Sequence, residues 1–95
     1  MTYKNPAIKE FEEIYSSSRE LYKKAISEKN ENSRKELSMH LGIAEIKLSG
    51  LLRRIMASID ILPREKVNHL DDFNIKISNI RGWKKRAIDF EKAKN

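Results

Sequence analysis

Apolar residues recur at three- and four-residue spacing along most of this chain, the period of an α-helix with one buried face. Ile8, Phe11, Ile14, Tyr15, Leu21, Tyr22, Ala25 and Ile26 form the first row. Asn5 is placed to cap that helix, and Pro6 suits its first position. Glu10, Glu12 and Glu13 sit in its early turns, where acidic side chains favour the helix dipole. The polar stretch 27–32 reads as a loop. Ser33 and Glu36 then have the Ser-x-x-Glu spacing of a capping box, directly before Leu37. A second row follows at Leu37, Leu41, Ala44, Leu48, Leu51, Ile55 and Leu62, interrupted at Ser58. Pro63 stops what precedes it and can open the next helix. Val67, Leu70 and Phe73 give that helix an apolar face. Asn74 is placed for a left-handed cap, and Ile75 and Ile77 lead into a last helix with Ile80, Trp83, Ala87, Ile88 and Phe90. Three Gly and two Pro in 95 residues favour helices over a β-rich fold. The pattern predicts one all-α domain spanning 1–95.

Segment 33–62 supports two readings. It forms one long helix, or it breaks at Gly42 into two short ones. Gly42 and Gly50 argue for the break, because each costs about 1 kcal/mol inside a helix relative to Ala. The broken form meets the needs of a helix-turn-helix. Leu37 and Leu41 bury the first helix, and Ser38 is small where the second helix crosses. Gly42 tolerates positive φ in the turn, and Ile43 plugs the turn into the core. Leu48 and Leu51 face inward from the second helix. The leucines would equally suit a continuous bundle helix, so Ser38, Gly42 and Ile43 carry the distinction.

The run Ser-Arg-Lys-Glu-Leu-Ser-x-x-Leu-Gly-Ile-Ala-x-x-x-Leu-Ser at 33–49 resembles the Xre/Cro-like, phage-repressor-type helix-turn-helix regulators, with similarity over about residues 20–80. That resemblance implies a compact bundle of about five helices containing a helix-turn-helix. It also implies sequence-specific binding of double-stranded DNA as a transcriptional regulator or repressor, usually as a homodimer. The recognition helix would run from about Ala44 to Met56, with Glu45, Ile46, Lys47, Ser49, Gly50 and Arg53 facing the major groove. Lys47 and Arg53 suit guanine or phosphate, Glu45 suits cytosine N4, and Ile46 suits a thymine methyl. Ser33 and Arg34 would hold a phosphate at the start of the first motif helix. Arg54, Lys84, Lys85 and Arg86 would make positioning contacts to the backbone. A rival layout has three long antiparallel helices at 6–28, 34–62 and 64–92. It resembles the N-terminal regulatory domain of SNARE proteins, including the Leu62-Pro63 break and the run Trp83-Lys84-Lys85, and implies a protein-interaction domain.

Charge adds to this picture through its distribution. Net charge is +6. Residues 1–36 carry eight Lys/Arg against seven Glu, residues 37–75 five against five, and residues 76–95 seven against two. The excess therefore lies in a basic C-terminal helix, which suits a polyanion. Cysteine is absent, excluding disulfides and thiol chemistry. No run of about 20 apolar residues spans a bilayer, and Met1–Pro6 lack a signal-peptide pattern, so a cytoplasmic location is expected. His40 and His69 lack companions at metal-ligand spacing and read as surface residues. Trp83 reads as packing rather than base stacking. The Tyr residues read as core edges, and Asp71-Asp72 as helix N-terminal charge. No phosphate loop, catalytic triad or metal cluster is visible, so neither an enzyme nor a cofactor is expected.

Overall fold

The computed structural model describes the backbone of residues 5–94 and the side chains of residues 5–87. It contains three helices: α1 (Pro6–Ser27), α2 (Glu31–Ala57) and α3 (Pro63–Lys94). The all-α expectation holds, and the count of about five helices does not. Both expected breaks are absent. Gly42 and Gly50 lie inside α2 and Asn74 inside α3, and no described residue has positive φ. The layout is that of the three-helix alternative, with α2 ending earlier, at Ala57.

Local signals explain most of the boundaries. Asn5 Oδ1 accepts the Ala7 N–H at 2.8 Å, and Pro6 opens α1. Pro63 opens α3, as its fixed φ and missing N–H favour. The start of α2 differs from expectation. Asn30, not Ser33, is the cap, with its Oδ1 accepting the Ser33 N–H at 3.0 Å. An Asx cap three residues earlier adds nearly a turn of helix and leaves a connection of three residues, 28–30. Ser58, which interrupts the second apolar row, is where α2 stops; its N–H donates to Ile55 O at 3.2 Å.

α1 and α3 run parallel, and α2 runs antiparallel between them, in a rod of 50 × 20 × 19 Å. The order of ring contacts fixes this direction. Phe11 stacks on Phe73 with centroids 3.8 Å apart. One turn on, Tyr15 Oη accepts from Asn79 Nδ2 at 3.2 Å. Further along, Trp83 stacks on Tyr15 at 5.4 Å and on Tyr22 at 5.3 Å. Trp83 therefore packs, as its place on the apolar stripe implied. Tyr3 lies outside the described residues. Leu41, Leu48, Leu51, Leu52 and Ile55 of α2 fill the interior against Ile8 and Phe11 of α1 and Phe73, Ile77 and Ile80 of α3. Val67, expected on a buried face, is exposed, because α3 buries the row 73, 77, 80, 87 instead.

The α2–α3 loop closes one end of the rod. Ile61 is buried, and Asp60 accepts from Asn5 Nδ2 at 3.0 Å and from the Ser58 hydroxyl. The Ser58 hydroxyl first, then Asp60's own N–H, Asn5 and the charge of Lys66, hold the Asp60 carboxyl below its ordinary value. A lowered folded-state pKa stabilises the fold above the unfolded-state value and loses that effect as pH falls through the folded-state value.

Two measurements check this packing. Phe73→Ala should cost about 3–5 kcal/mol in urea unfolding, since it empties the ring stack at the centre of the core. An acid titration of the unfolding midpoint should fall more steeply below pH ~3.9 in the native protein than in Asp60→Asn; equal slopes would remove the role given to Asp60.

Candidate functional site

α2 packs along both other helices, and its surface divides into faces with different tasks. Toward α3 it presents Ser38, Gly42 and Glu45 at four- and three-residue spacing. Ser38 Oγ donates to Lys84 O at 3.2 Å. The Lys84 stem crosses Gly42, with Cδ 3.4 Å from where a Cβ would stand. Its ammonium reaches Glu45 Oε1 at 3.6 Å, and Arg81 Nε donates to Glu45 Oε2 at 3.1 Å. Lys84 occupies a seam position of α3, between Ile80 and Ala87, and buries its stem while its charge runs outward along α2. Small Ser38 and Gly42 make room for it.

These contacts reassign several residues picked out for DNA. Arg34 is 3% exposed, and its Nη1 donates to Glu28 O at 2.8 Å, clamping the α1–α2 connection. Phosphate contact is closed to it. Glu45 is committed to Arg81 and Lys84, with its side chain 16% exposed, so it faces α3 and not a groove. Ser33 and Ser49 are half-buried. Lys47, Arg53 and Arg54 on α2, and Lys85 and Arg86 on α3, are exposed. Nothing gathers all of these on one recognition element, because the turn that would separate a recognition helix is not formed. The helix-turn-helix is replaced by continuous helix for the physical reason just given: Ser38 and Gly42 are small for α3, not for a turn.

The outward face of α2 carries a second apolar row. Met39 (66% exposed), Ile43 (46%) and Ile46 (73%) follow at four- and three-residue spacing, and Gly50 continues the row. Lys35, His40, Lys47, Arg53 and Arg54 fringe it. Ile43, expected to plug a turn, faces solvent. Grooves flank the row on both sides. Ile14, Leu21 and Ala44 line the one toward α1; Ser38, Gly42 and Lys84 line the one toward α3. Met39 escaped the sequence reading and Ile43 was misplaced, yet the signal was present: a 39–43–46–50 row offset by two from 37–41–44–48.

Among the described residues, no three His, Cys, Asp or Glu side chains converge as metal ligands, and no helix is long and apolar enough to cross a membrane. Comparison with protein-family models, with curated proteins and with solved structures finds no match.

The glycine at the α2–α3 contact has a direct test. Gly42→Ala adds a methyl at ordinary contact distance from a flexible stem. It should raise stability by about 0.5–1 kcal/mol through helix propensity. A positive-φ turn at Gly42 would give the opposite sign in the same unfolding measurement.

Proposed function

We propose that this chain is a protein-interaction module, a three-helix bundle that docks a helical segment along the outward row of α2. The observation that carries the proposal is that α2 is apolar on two faces. One row is buried in the core, and Met39, Ile43 and Ile46 lie outside it with no intrachain task. Anchors at i, i+4 and i+7 are the spacing with which helices engage each other's apolar faces. Met39 adds an unbranched, adaptable side chain to that surface. The cationic fringe favours encounter with an acidic partner and helps set its orientation.

The DNA-regulator reading rested on a recognition helix that starts after a turn at Gly42. With α2 continuous, what supports it is the excess positive charge alone, which serves any polyanion. Glu45 and Arg34, two of its assigned contacts, are spent on internal interactions.

A photoreactive residue in place of Ile46 should form protein adducts in cells expressing the chain, while the same residue in place of exposed Lys23 on α1 should not. Ile46→Ser should weaken the partner captured there by at least about 1 kcal/mol, roughly fivefold. Absence of adducts at Ile46, together with steeply salt-dependent binding to duplex DNA, would overturn the proposal in favour of a polyanion function.

A further inference from the structure

The seam between α2 and α3 is grooved along most of its outer side. The groove beside Met39, Ile46 and Lys84 is followed, one turn past Glu45, by a second that Met56 of α2 and Leu70 and Asn74 of α3 line. The Arg81–Glu45 pair joins the two, since Arg81 lines the second and Glu45 the first. α3 offers an apolar edge of its own here. Val67, 61% exposed, and Leu70, 36% exposed, precede Asn74 at three- and four-residue spacing, outside the row 73, 77, 80 that fills the core. Apolar side chains therefore stand on both banks of one seam. A fourth helix completing a bundle packs into such a seam.

Charge separates this seam from the one on the other side of α2. Lys35, Arg53, Arg81 and Lys84 line the α2–α3 seam against one carboxylate, Glu45, which Arg81 and Lys84 already hold. The α1–α2 seam is lined by Lys24 and Lys47 against Glu13, Glu28 and Glu36, with His40 common to its two grooves. An acidic helix is drawn to the first seam and meets a carboxylate excess in the second. Arg53 is exposed and has no hydrogen bond or ion pair to another described residue, so its charge is free for a partner.

We infer that the partner is an acidic amphipathic helix that lies in the α2–α3 seam as a fourth helix, with Met39 and Ile46 anchoring one half and Met56, Leu70 and Val67 the other. This rests on the docking role proposed above for the α2 row; it adds the seam the partner occupies and a second set of anchors on α3. From Lys35 to Ala57 the seam is about 33 Å long at the helical rise per residue, room for about 22 residues of helix.

The probe is a synthetic helix of that length with leucines along one face and glutamates flanking them; its counterpart has lysine in place of every glutamate. On titration with the glutamate peptide, amide NMR signals of Ile46, Arg53, Leu70 and Asn74 in the isotope-labelled full chain should shift, and those of Ser17 and Leu21 should not. Asn74→Trp, which fills the seam from an exposed position, should weaken binding at least about tenfold. Ser17→Trp, equally exposed in the α1–α2 seam, should leave it unchanged. Arg53→Glu should cost about fivefold with the glutamate peptide, about one exposed ion pair, and should improve binding of the lysine peptide, an outcome that damage to folding would not give. Equal binding of the two peptides by the native chain, shifts confined to the α1 side, or no shift with either peptide each overturns the inference. The docking role is read separately, from adducts at Ile46. If they form while the peptide result is negative, that role stands with an occupant of other chemistry or in the other seam. If neither is seen, both readings fall.

Discussion

The stem of Lys84 lying across Gly42 sets how α2 and α3 meet, and much of the surface follows from it. A larger residue at 42 that pushed the stem away would move the Lys84 ammonium off Glu45 and disturb the Arg81 pair beside it. Ser38 secures the same crossing from one turn away through its bond to Lys84 O. With this face of α2 committed to α3 and the leucine row committed to the core, Met39, Ile43 and Ile46 have only the outside left. The exposed row is thus a consequence of the crossing.

The aromatic contacts set the direction of the third helix. Phe11 on Phe73, and Trp83 against Tyr15 and Tyr22, align α1 with α3 in parallel. Large flat rings bury much area per residue, which matters in a chain of 95 residues whose core is thin. The charges play a different part. Arg34 is held by a backbone carbonyl, and Lys84 and Arg81 are held by one carboxylate. Part of the basic character that looked available to a polyanion is engaged in contacts within the chain, buried at Arg34 and at the surface at Arg81 and Lys84, while Lys47, Arg53, Arg54, Lys85 and Arg86 are exposed without such a contact to another described residue.

Several features were legible along the chain. The all-α class, the Asn5–Pro6 start, the opening at Pro63 and the packing role of Trp83 each follow from local chemistry or from spacing, whereas the second apolar row runs past Ser58 to Leu62 and α2 ends at Ala57. Other features were ambiguous in principle. A small residue and a glycine four positions apart suit both a helix-turn-helix and a close helix crossing. Glycine propensity disfavours a continuous helix by about 1 kcal/mol per residue, and tertiary packing overrides a term of that size. The capping box at Ser33 and Glu36 lost to Asn30 for a similar reason: both caps are sound, and the earlier one extends the helix.

By itself, then, the sequence determined that this protein is helical, where its outer helices begin, and which residues are apolar at helical spacing, because these depend on neighbours within a turn or two. The tertiary structure alone decided whether α2 is one helix or two, which of its two apolar rows is buried, and which cations are engaged. Those outcomes depend on what α3 presents to Ser38, Gly42 and Glu45 from about forty residues away in the chain. No periodicity encodes a contact at that separation.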